Sequence, residues 1–553
     1  MKARTNALTL AALAMGSVSL GASQAQAQAF APAALASSEA CQRLASLAGP
    51  DARIDTVEYI AAGPMKAPFP GMPPIALPAH CRLVATLHPR KGVGGQTFGI
   101  GFELRLPANW NGRFLFQGGG GLDGAIRPAL GLGGGAKGPA LSQGFAVVST
   151  DAGHEGPDAS FAADQQARID YAYAALGEVG GRAKGITAAF YGAAPKYAYF
   201  DGFSNGGRQG MMAAERFPGL FDGIVAGDPG FRLSRAAVGE AWNTVQYAKV
   251  AQRDSAGRPI VSTALTNGEL RLVADRILAD CDRLDGLADG SVNNWKSCRF
   301  DIGEVRCKTP KASGCLPQEK VDALRKTFAA ARDSRGQPLY AAWPWDPGIA
   351  GRDWRGWRLG DSPKAPGNGL NETMGADALA RYFSTPPYTG PFDVTKFDFD
   401  QAAARVAETG AINDATATFL TTFAQRGGKL IIYHGLADPV FSALDTVAWY
   451  DDLQATMGPT QGWGRLFLVP GMNHCSGGPA TDRFDALGAV QAWVENGVAP
   501  DQIIASGSLA AGAPPVERPL CPYPEYAAYA DGPVGSASSF RCRRDDKSAK
   551  VKG

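Results

Sequence analysis

Strand-like and helix-like stretches alternate in two widely separated parts of this 553-residue chain. In the first part, residues 113–117, 145–150, 197–200 and 222–226 read as strands, with helical patterns over 166–191 and 206–217. In the second, strands over 429–433 and 465–469 are interleaved with helices near 415–426, 443–454 and 483–496. Strands that alternate with helices build βαβ units, so the expected fold class is α/β with a mostly parallel sheet. Between the two parts, over 231–409, the alternation breaks down. That stretch holds Cys281, Cys298, Cys307 and Cys315 and six of the ten tryptophans: Trp242, Trp295, Trp343, Trp345, Trp354 and Trp357. It reads as a loop-rich insertion. The expected organisation is a core over 30–230 and 411–553, interrupted by an inserted domain over 231–410. A hydrophobic share of 45% with 19% charged residues is ample for a packed core.

The amino terminus carries a different signal. Lys2 and Arg4 precede an apolar run over 7–20, followed by Ala25-Gln26-Ala27 and Ala27-Gln28-Ala29. This is the order of a secretory signal, expected over 1–29. The run is shorter than the ~20 residues that span a bilayer, so no membrane attachment is expected after cleavage. A secreted or periplasmic protein is expected. Nine cysteines without a C-x-x-C pair suit disulfides in an oxidising compartment, and an odd number leaves at least one outside an intrachain bridge. Fifty-four basic residues against 52 acidic ones give a net charge of +2. The basic tail is interrupted by Asp545 and Asp546, so no nucleic-acid partner is expected.

Gly202-Phe203-Ser204-Asn205-Gly206 is a G-x-S-x-G phrase between an expected strand and an expected helix. A serine on such a strained turn is pushed out at the strand's carboxyl end, where it serves as a nucleophile. The partners in such a site follow in the order serine, acid, histidine. Of the five histidines, His80, His88 and His154 precede Ser204 and are excluded. His434 precedes the best acid and reads as packing against the site. His474, in the loop after strand 465–469, is the expected base. Asp438, just past strand 429–433, is the expected acid, with Asp228 as the runner-up. The expected oxyanion donors are the backbone N–H of Asn205 and one from the run Gly118–Gly121, for which we choose Gly120. That run lacks a following Lys-Ser/Thr and is not a P-loop.

Ser204-Asn205-Gly206-Gly207-Arg208-Gln209-Gly210, with Phe221-Asp222-Gly223-Ile224-Val225-Ala226-Gly227, resembles the tannase and feruloyl esterase family. His434-Gly435-Leu436-Ala437-Asp438-Pro439 and Gly471-Met472-Asn473-His474-Cys475 resemble that family's acid and histidine segments. The resemblance implies an α/β-hydrolase core with a large lid. It implies cleavage of gallate, hydroxycinnamate or mono-(2-hydroxyethyl) terephthalate esters, and assigns Phe441 to substrate contact. It also implies a calcium ion held by Asp282, Asp285 and Asp289 with the carbonyls of Leu287 and Ser291. Eight cysteines allow about a hundred pairings; the resemblance implies Cys41–Cys81, Cys281–Cys298, Cys307–Cys315 and Cys521–Cys542.

One position departs from the family. The cysteine usually found before the nucleophile is Phe203 here, so Cys475 has no partner. Phe203 is expected to replace the missing bridge by packing, with Cys475 a buried thiol. The lid arginine that binds a substrate carboxylate in terephthalate-type members has one candidate, Arg381. The expected activity is hydrolysis of esters of aromatic acids, of hydroxycinnamate type, with a small-molecule substrate. A gallate or terephthalate monoester is the alternative. A non-catalytic phenolic- or carbohydrate-binding protein on the same fold is the rival from another class, disfavoured by a complete triad. The tryptophans of the insertion are expected either to stack on an aromatic acyl group or to form that domain's core. Oligomeric state is not legible in the sequence.

Overall fold

A computed structural model describes residues 37–67, 73–133, 137–309 and 312–545. The expected signal segment and the end of the basic tail lie outside the described residues.

A nine-stranded sheet forms the centre. Its strands are β1 (Ala52–Ile60), β2 (His80–Lys91), β3 (Thr97–Pro107), β4 (Arg113–Gln117), β5 (Ala146–Thr150), β6 (Tyr197–Phe203), β7 (Gly223–Gly227), β8 (Lys429–Gly435) and β9 (Gly464–Val469). They lie in the order β1-β2-β3-β5-β4-β6-β7-β8-β9. Every neighbouring pair from β5 to β9 is parallel, while β1, β2, β3 and β5 pair antiparallel. The antiparallel edge is not in the sequence reading. β1 carries no fully buried residue, so no apolar run announces it.

The inner strands are apolar on both faces, as sheets covered on both sides must be. Alternate residues feed two separate cores. Phe114, Phe116, Phe200, Ile224 and Ile432 pack with helix α1 (Ala175–Tyr191), helix α2 (Asn205–Arg216) and helix α7 (Ala443–Met457). Leu115, Tyr199, Val225, Ile431 and Phe467 pack on the other face against helix α8 (Ala486–Asn496). A helix expected over 415–426 is confined to Thr421–Gln425, and residues 480–484 form a strand where a helix was expected to begin.

The insertion contains helices α3 (Leu233–Val250), α4 (Asn267–Cys281), α5 (Gln318–Phe328) and α6 (Phe399–Asn413), joined by long segments that carry only short helical pieces. α4 starts on a full capping box between Thr266 and Glu269. Helix α6 runs across the expected boundary at 410. The two ends of the insertion meet where the Ala415 N–H donates to the Phe231 carbonyl at 2.8 Å. Its apolar core is continuous with Phe98, Leu122, Phe161 and Tyr171 of the sheet region, so it sits on the site instead of standing apart.

Four disulfides join Cys41–Cys81, Cys281–Cys298, Cys307–Cys315 and Cys521–Cys542, and Cys475 is unpaired. Among the described residues no helix is long and apolar enough to cross a membrane.

Candidate active site

β6 ends one residue before Ser204, and α2 begins one residue after it. Ser204 takes φ 62° and ψ −125°, a left-handed conformation that non-glycine residues adopt at a cost of about 1–3 kcal/mol. Close approach makes the glycines around it necessary. A Cβ on Gly202 would lie 2.9 Å from the backbone of Gly206, and one on Gly206 would lie 2.7 Å from the Gly119 carbonyl. The turn is sewn to the neighbouring strand end by backbone. The Ser204 N–H donates to Gly227 O (2.9 Å), and Ser204 O accepts from the Gly230 N–H (3.2 Å).

The glycine run passes directly beside this turn. Gly118 N–H donates to Asp201 O at 2.9 Å, and Gly119 N–H donates to Gln209 Oε1 at 3.0 Å. Among the described residues the Gly120 N–H makes no backbone–backbone hydrogen bond but bears on the Asp123 carboxylate, and the space beyond the Gly120 Cα is open. Asn205 is the first residue of α2, so its N–H has no partner within the helix. The Asn205 N–H directly follows Ser204 in the chain, and Gly120 follows the glycines that pack on Gly202 and Gly206. Asp123 braces both sides: its Oδ1 accepts from Asn205 Nδ2 and its Oδ2 from Gln209 Nε2, each at 2.8 Å. Asp123 is absent from the sequence reading because it belongs to no recognisable motif, and Gln209 appears there only within the family-like phrase, without a role.

His474 Nε2 lies 2.8 Å from Ser204 Oγ, and His474 Nδ1 lies 2.8 Å from Asp438 Oδ2. Asp438 Oδ1 accepts from the N–H groups of Val440 (2.7 Å) and Phe441 (3.1 Å). Burial would raise the Asp438 carboxyl, but the charges and hydrogen bonds of His474 and His434 hold it well below the usual carboxylate range. Burial would lower His474; the Asp438 charge and hydrogen bond carry it above the ordinary histidine value.

Asp228 does not reach His474 as a hydrogen-bond partner. Its Oδ1 accepts from the Gly435 N–H at 2.8 Å, its Oδ2 is buried without a partner among the described residues, and burial pushes it up to about 7. The rings of Phe441 and Trp357 stand edge-on to His474 at 5.3 and 5.4 Å between centroids. Of the other insertion tryptophans, Trp343 and Trp354 enclose the Arg358 guanidinium at 4.0 and 5.0 Å, and Trp345 stacks on Phe328 at 3.7 Å. Trp343, Trp345 and Trp354 thus belong to the packing of the insertion, while Trp357 lies beside the histidine. Arg381 pairs with Asp377 at 2.8 Å, one helical turn away, and its side chain is otherwise exposed.

Phe203 corrects the expected packing. It is 47% exposed, because the sharp turn at Ser204 directs this last strand residue outward while Gly202 faces the glycine run. The histidine loop is instead tied by backbone and by Asn473. Ala437 N–H donates to Met472 O (3.1 Å), and Asn473 Nδ2 donates to Ala437 O (3.2 Å) and Gly348 O (3.0 Å). Cys475, half-buried at φ 67°, has its thiol pushed well above the ordinary value by burial.

The acidic loop lies in the insertion after α4. Asp282 accepts from the N–H groups of Asp289 (3.2 Å) and Gly290 (3.0 Å). Asp285 accepts from Leu287 N–H (3.0 Å) and Asn293 Nδ2 (2.6 Å), and Asp289 from Ser291 N–H (3.1 Å). Arg518 pairs with Asp289. Burial raises Asp285 to about 6 and also raises Asp282, and the neighbouring carboxylates add to both shifts. Among the described residues, the one trio of histidine, cysteine or acidic side chains whose ligand atoms converge within 4.8 Å is Asp228, His434 and Asp438. The loop's oxygen-only donors fit a hard cation in kind, but they are spread more widely than that trio.

Comparison with known proteins agrees with this geometry. The family model described as tannase and feruloyl esterase matches residues 81–543. The chain is 41% identical over 559 residues to a mono(2-hydroxyethyl) terephthalate hydrolase of Piscinibacter sakaiensis, covering 92% of each chain. It is 31% identical over 435 residues to a probable feruloyl esterase B-2 of Aspergillus flavus, covering 72% of this chain and 76% of the relative. The solved structure of feruloyl esterase B from Aspergillus oryzae superposes with a TM-score of 0.77 at 26% identity, covering 92% of this chain and 100% of that one. The chain belongs to the tannase and feruloyl esterase family and is a carboxylic ester hydrolase.

Proposed function

We propose that Ser204, His474 and Asp438 act as a catalytic triad hydrolysing esters of aromatic acids, with hydroxycinnamates as the acyl class. The observation that carries this reading is the pair of 2.8 Å hydrogen bonds linking the serine through the imidazole to the buried carboxylate. Ser204 Oγ attacks the ester carbonyl carbon while its proton passes to His474 Nε2. The carbonyl oxygen, now negative, is received by the N–H groups of Gly120 and Asn205. Collapse breaks the ester C–O bond, and the leaving alkoxide takes the proton from His474. Water then attacks the acyl-enzyme with His474 as base, releasing the acid and restoring Ser204. Asp438 keeps the proton on Nδ1, so that Nε2 is free to accept, and stabilises the imidazolium. Phe441 and Trp357 supply aromatic surface beside the reacting atoms.

A second reading, a terephthalate monoester, is favoured by the 41% identity to the Piscinibacter sakaiensis enzyme. The arginine candidate for a free carboxylate, Arg381, is held by Asp377 in an exposed pair that such a substrate would have to displace. Initial rates on methyl ferulate, methyl gallate and mono-(2-hydroxyethyl) terephthalate separate the readings. The largest kcat/KM should fall on the ferulate, and a clear preference for the terephthalate monoester would replace the first reading with the second.

A calcium ion would be held by Asp282, Asp285 and Asp289 with the Leu287 and Ser291 carbonyls, neutralising carboxylates that Arg518 alone does not balance. Its part is to stiffen the insertion, and no step of the hydrolysis passes through it. Export by the segment 1–29 is supported by the four disulfides.

A further inference from the structure

His434 is wholly buried, lies outside the proton path from Ser204 to Asp438, and touches the acid from the opposite side to His474. Its Nε2 lies 3.1 Å from the Phe441 carbonyl and 3.3 Å from Asp438 Oδ2. Both of those atoms are acceptors only, so Nε2 must carry a hydrogen. Its Nδ1 lies 2.8 Å from Thr446 Oγ1, a hydroxyl that can donate to it. The neutral tautomer with hydrogen on Nε2 therefore satisfies both ring nitrogens at once. A burial of 0% exposed surface leaves no water to substitute for either contact.

The consequence falls on the acid turn. Asp438 Oδ1 is fixed by the N–H groups of Val440 and Phe441. Asp438 Oδ2 is shared between His474 Nδ1 and His434 Nε2. The same Nε2–H also holds the carbonyl of Phe441, whose ring stands against His474. One imidazole thus clamps the carboxylate and the aromatic wall of the site together. Thr446, on α7, sets that imidazole from the helix behind β8. The other ionisable groups that bear on His434 are Asp228 and, through its effect on Asp445, that α7 carboxyl.

We infer that His434, oriented by Thr446, is a positioning residue for Asp438, acting on the reaction through the geometry of the acid. This rests on the triad reading above. Placement errors of about 1 Å in a catalytic group cost roughly 10²-fold in rate.

The test uses purified full-length protein, with Ser204→Ala as the control for the triad itself. His434→Leu removes the Nε2 donor, His434→Gln returns an N–H at similar reach, and Thr446→Val removes the hydroxyl at nearly constant volume. The expected result for His434→Leu is a fall in kcat of roughly 10²-fold with KM little changed. The acidic limb of its pH–rate profile should also move to higher pH, because an Asp438 without its second donor holds the His474 imidazolium more strongly. His434→Gln should restore most of kcat and the limb, and Thr446→Val should shift both in the same direction by a smaller amount. A folded His434→Leu with unchanged kcat and limb would overturn the inference, as would a Gln variant no better than Leu. Should His434→Leu fail to fold, Thr446→Val decides: a shifted limb supports the inference, and a wild-type limb overturns it. An active Ser204→Ala would instead overturn the triad reading, whatever the His434 variants do.

Discussion

Two groups of wholly or partly buried carboxylates occupy this molecule, one at the carboxyl edge of the sheet and one in the insertion, and their surroundings differ. Asp438 is met by two imidazoles and two backbone N–H groups, which hold it ionised well below the usual range. Asp282 and Asp285 are met by backbone and amide N–H groups but face each other and Asp289, so burial and mutual repulsion push them up. On the proposed function, the same residue type serves opposite uses. At the sheet edge its charge is stabilised by the chain itself and is available to orient a base. In the insertion the charge is under-compensated, which is the condition under which a bound cation contributes most to folding.

The comparison breaks first at the sheet edge. Ser204→Ala and His474→Ala should each lower kcat by several orders of magnitude, to nearly the same residual rate, because the members of such a unit do not act additively. Asp438→Asn should cost roughly 10⁴-fold by favouring the wrong tautomer of His474. Circular dichroism would show that the fold survives, and hydrolysis of p-nitrophenyl acetate at the wild-type rate by the Ser204 or His474 variant would refute the assignment.

A smaller effect should appear with pH. His474 must be neutral to accept the Ser204 proton, and its pKa is raised by Asp438. Activity should therefore fall on acidification through a midpoint above the ordinary histidine value of about 6.5. A kcat/KM profile whose acidic midpoint lies below that value would contradict the raised pKa.

The insertion should answer to pH in the opposite sense once metal is removed. Asp285 has a folded value of about 6, above that of an unfolded aspartate at about 3.9. The folded state then binds more protons between those values, so stability of the metal-free protein falls as pH rises across that window. Calcium should offset this, by ~2.7 kcal/mol at one hundred times its dissociation constant. The loss of Tm caused by EDTA should therefore grow from pH 4 to pH 7, roughly, while hydrolysis in the surviving fold changes little. A Tm indifferent to EDTA at every pH, with no calcium found by elemental analysis, would remove the ion from the account.

The smallest effect is expected at the strand end beside the nucleophile. Phe203 is 47% exposed, so Phe203→Ala should change Tm by no more than a typical surface substitution, within about 0.5 kcal/mol. A loss of 2 kcal/mol or more, roughly the worth of a buried phenyl ring, would show that it packs after all.

What was legible in the sequence followed from how many constraints met at each position. Ser204 lies where a glycine pattern, a strand and a helix coincide, and chain order then leaves His474 as the last histidine. The inner strands β4 to β9 are apolar on both faces and announce themselves as runs. β1 is half-exposed along its whole length, and its place in the sheet depends on β2, which no local pattern reveals. Phe203 was misread because a strand's period fixes the side of the sheet, while the φ of 62° at Ser204 redirects the chain at that point. Asp123, Gln209 and Thr446 act through contacts 82, 90 and 12 residues away, and such contacts leave no signature in one sequence.

The most direct test of the central claim is to ask which atom of the protein an activated acyl mimic attacks. Treatment with a fluorophosphonate, followed by peptide mass spectrometry, should place one phosphonyl group per chain on Ser204 and abolish ester hydrolysis in proportion. The same label should be absent from Ser204→Ala and slow to form on His474→Ala. Full inactivation with the phosphonyl group on any other residue, or stoichiometric labelling of Ser204 with hydrolysis intact, would contradict it.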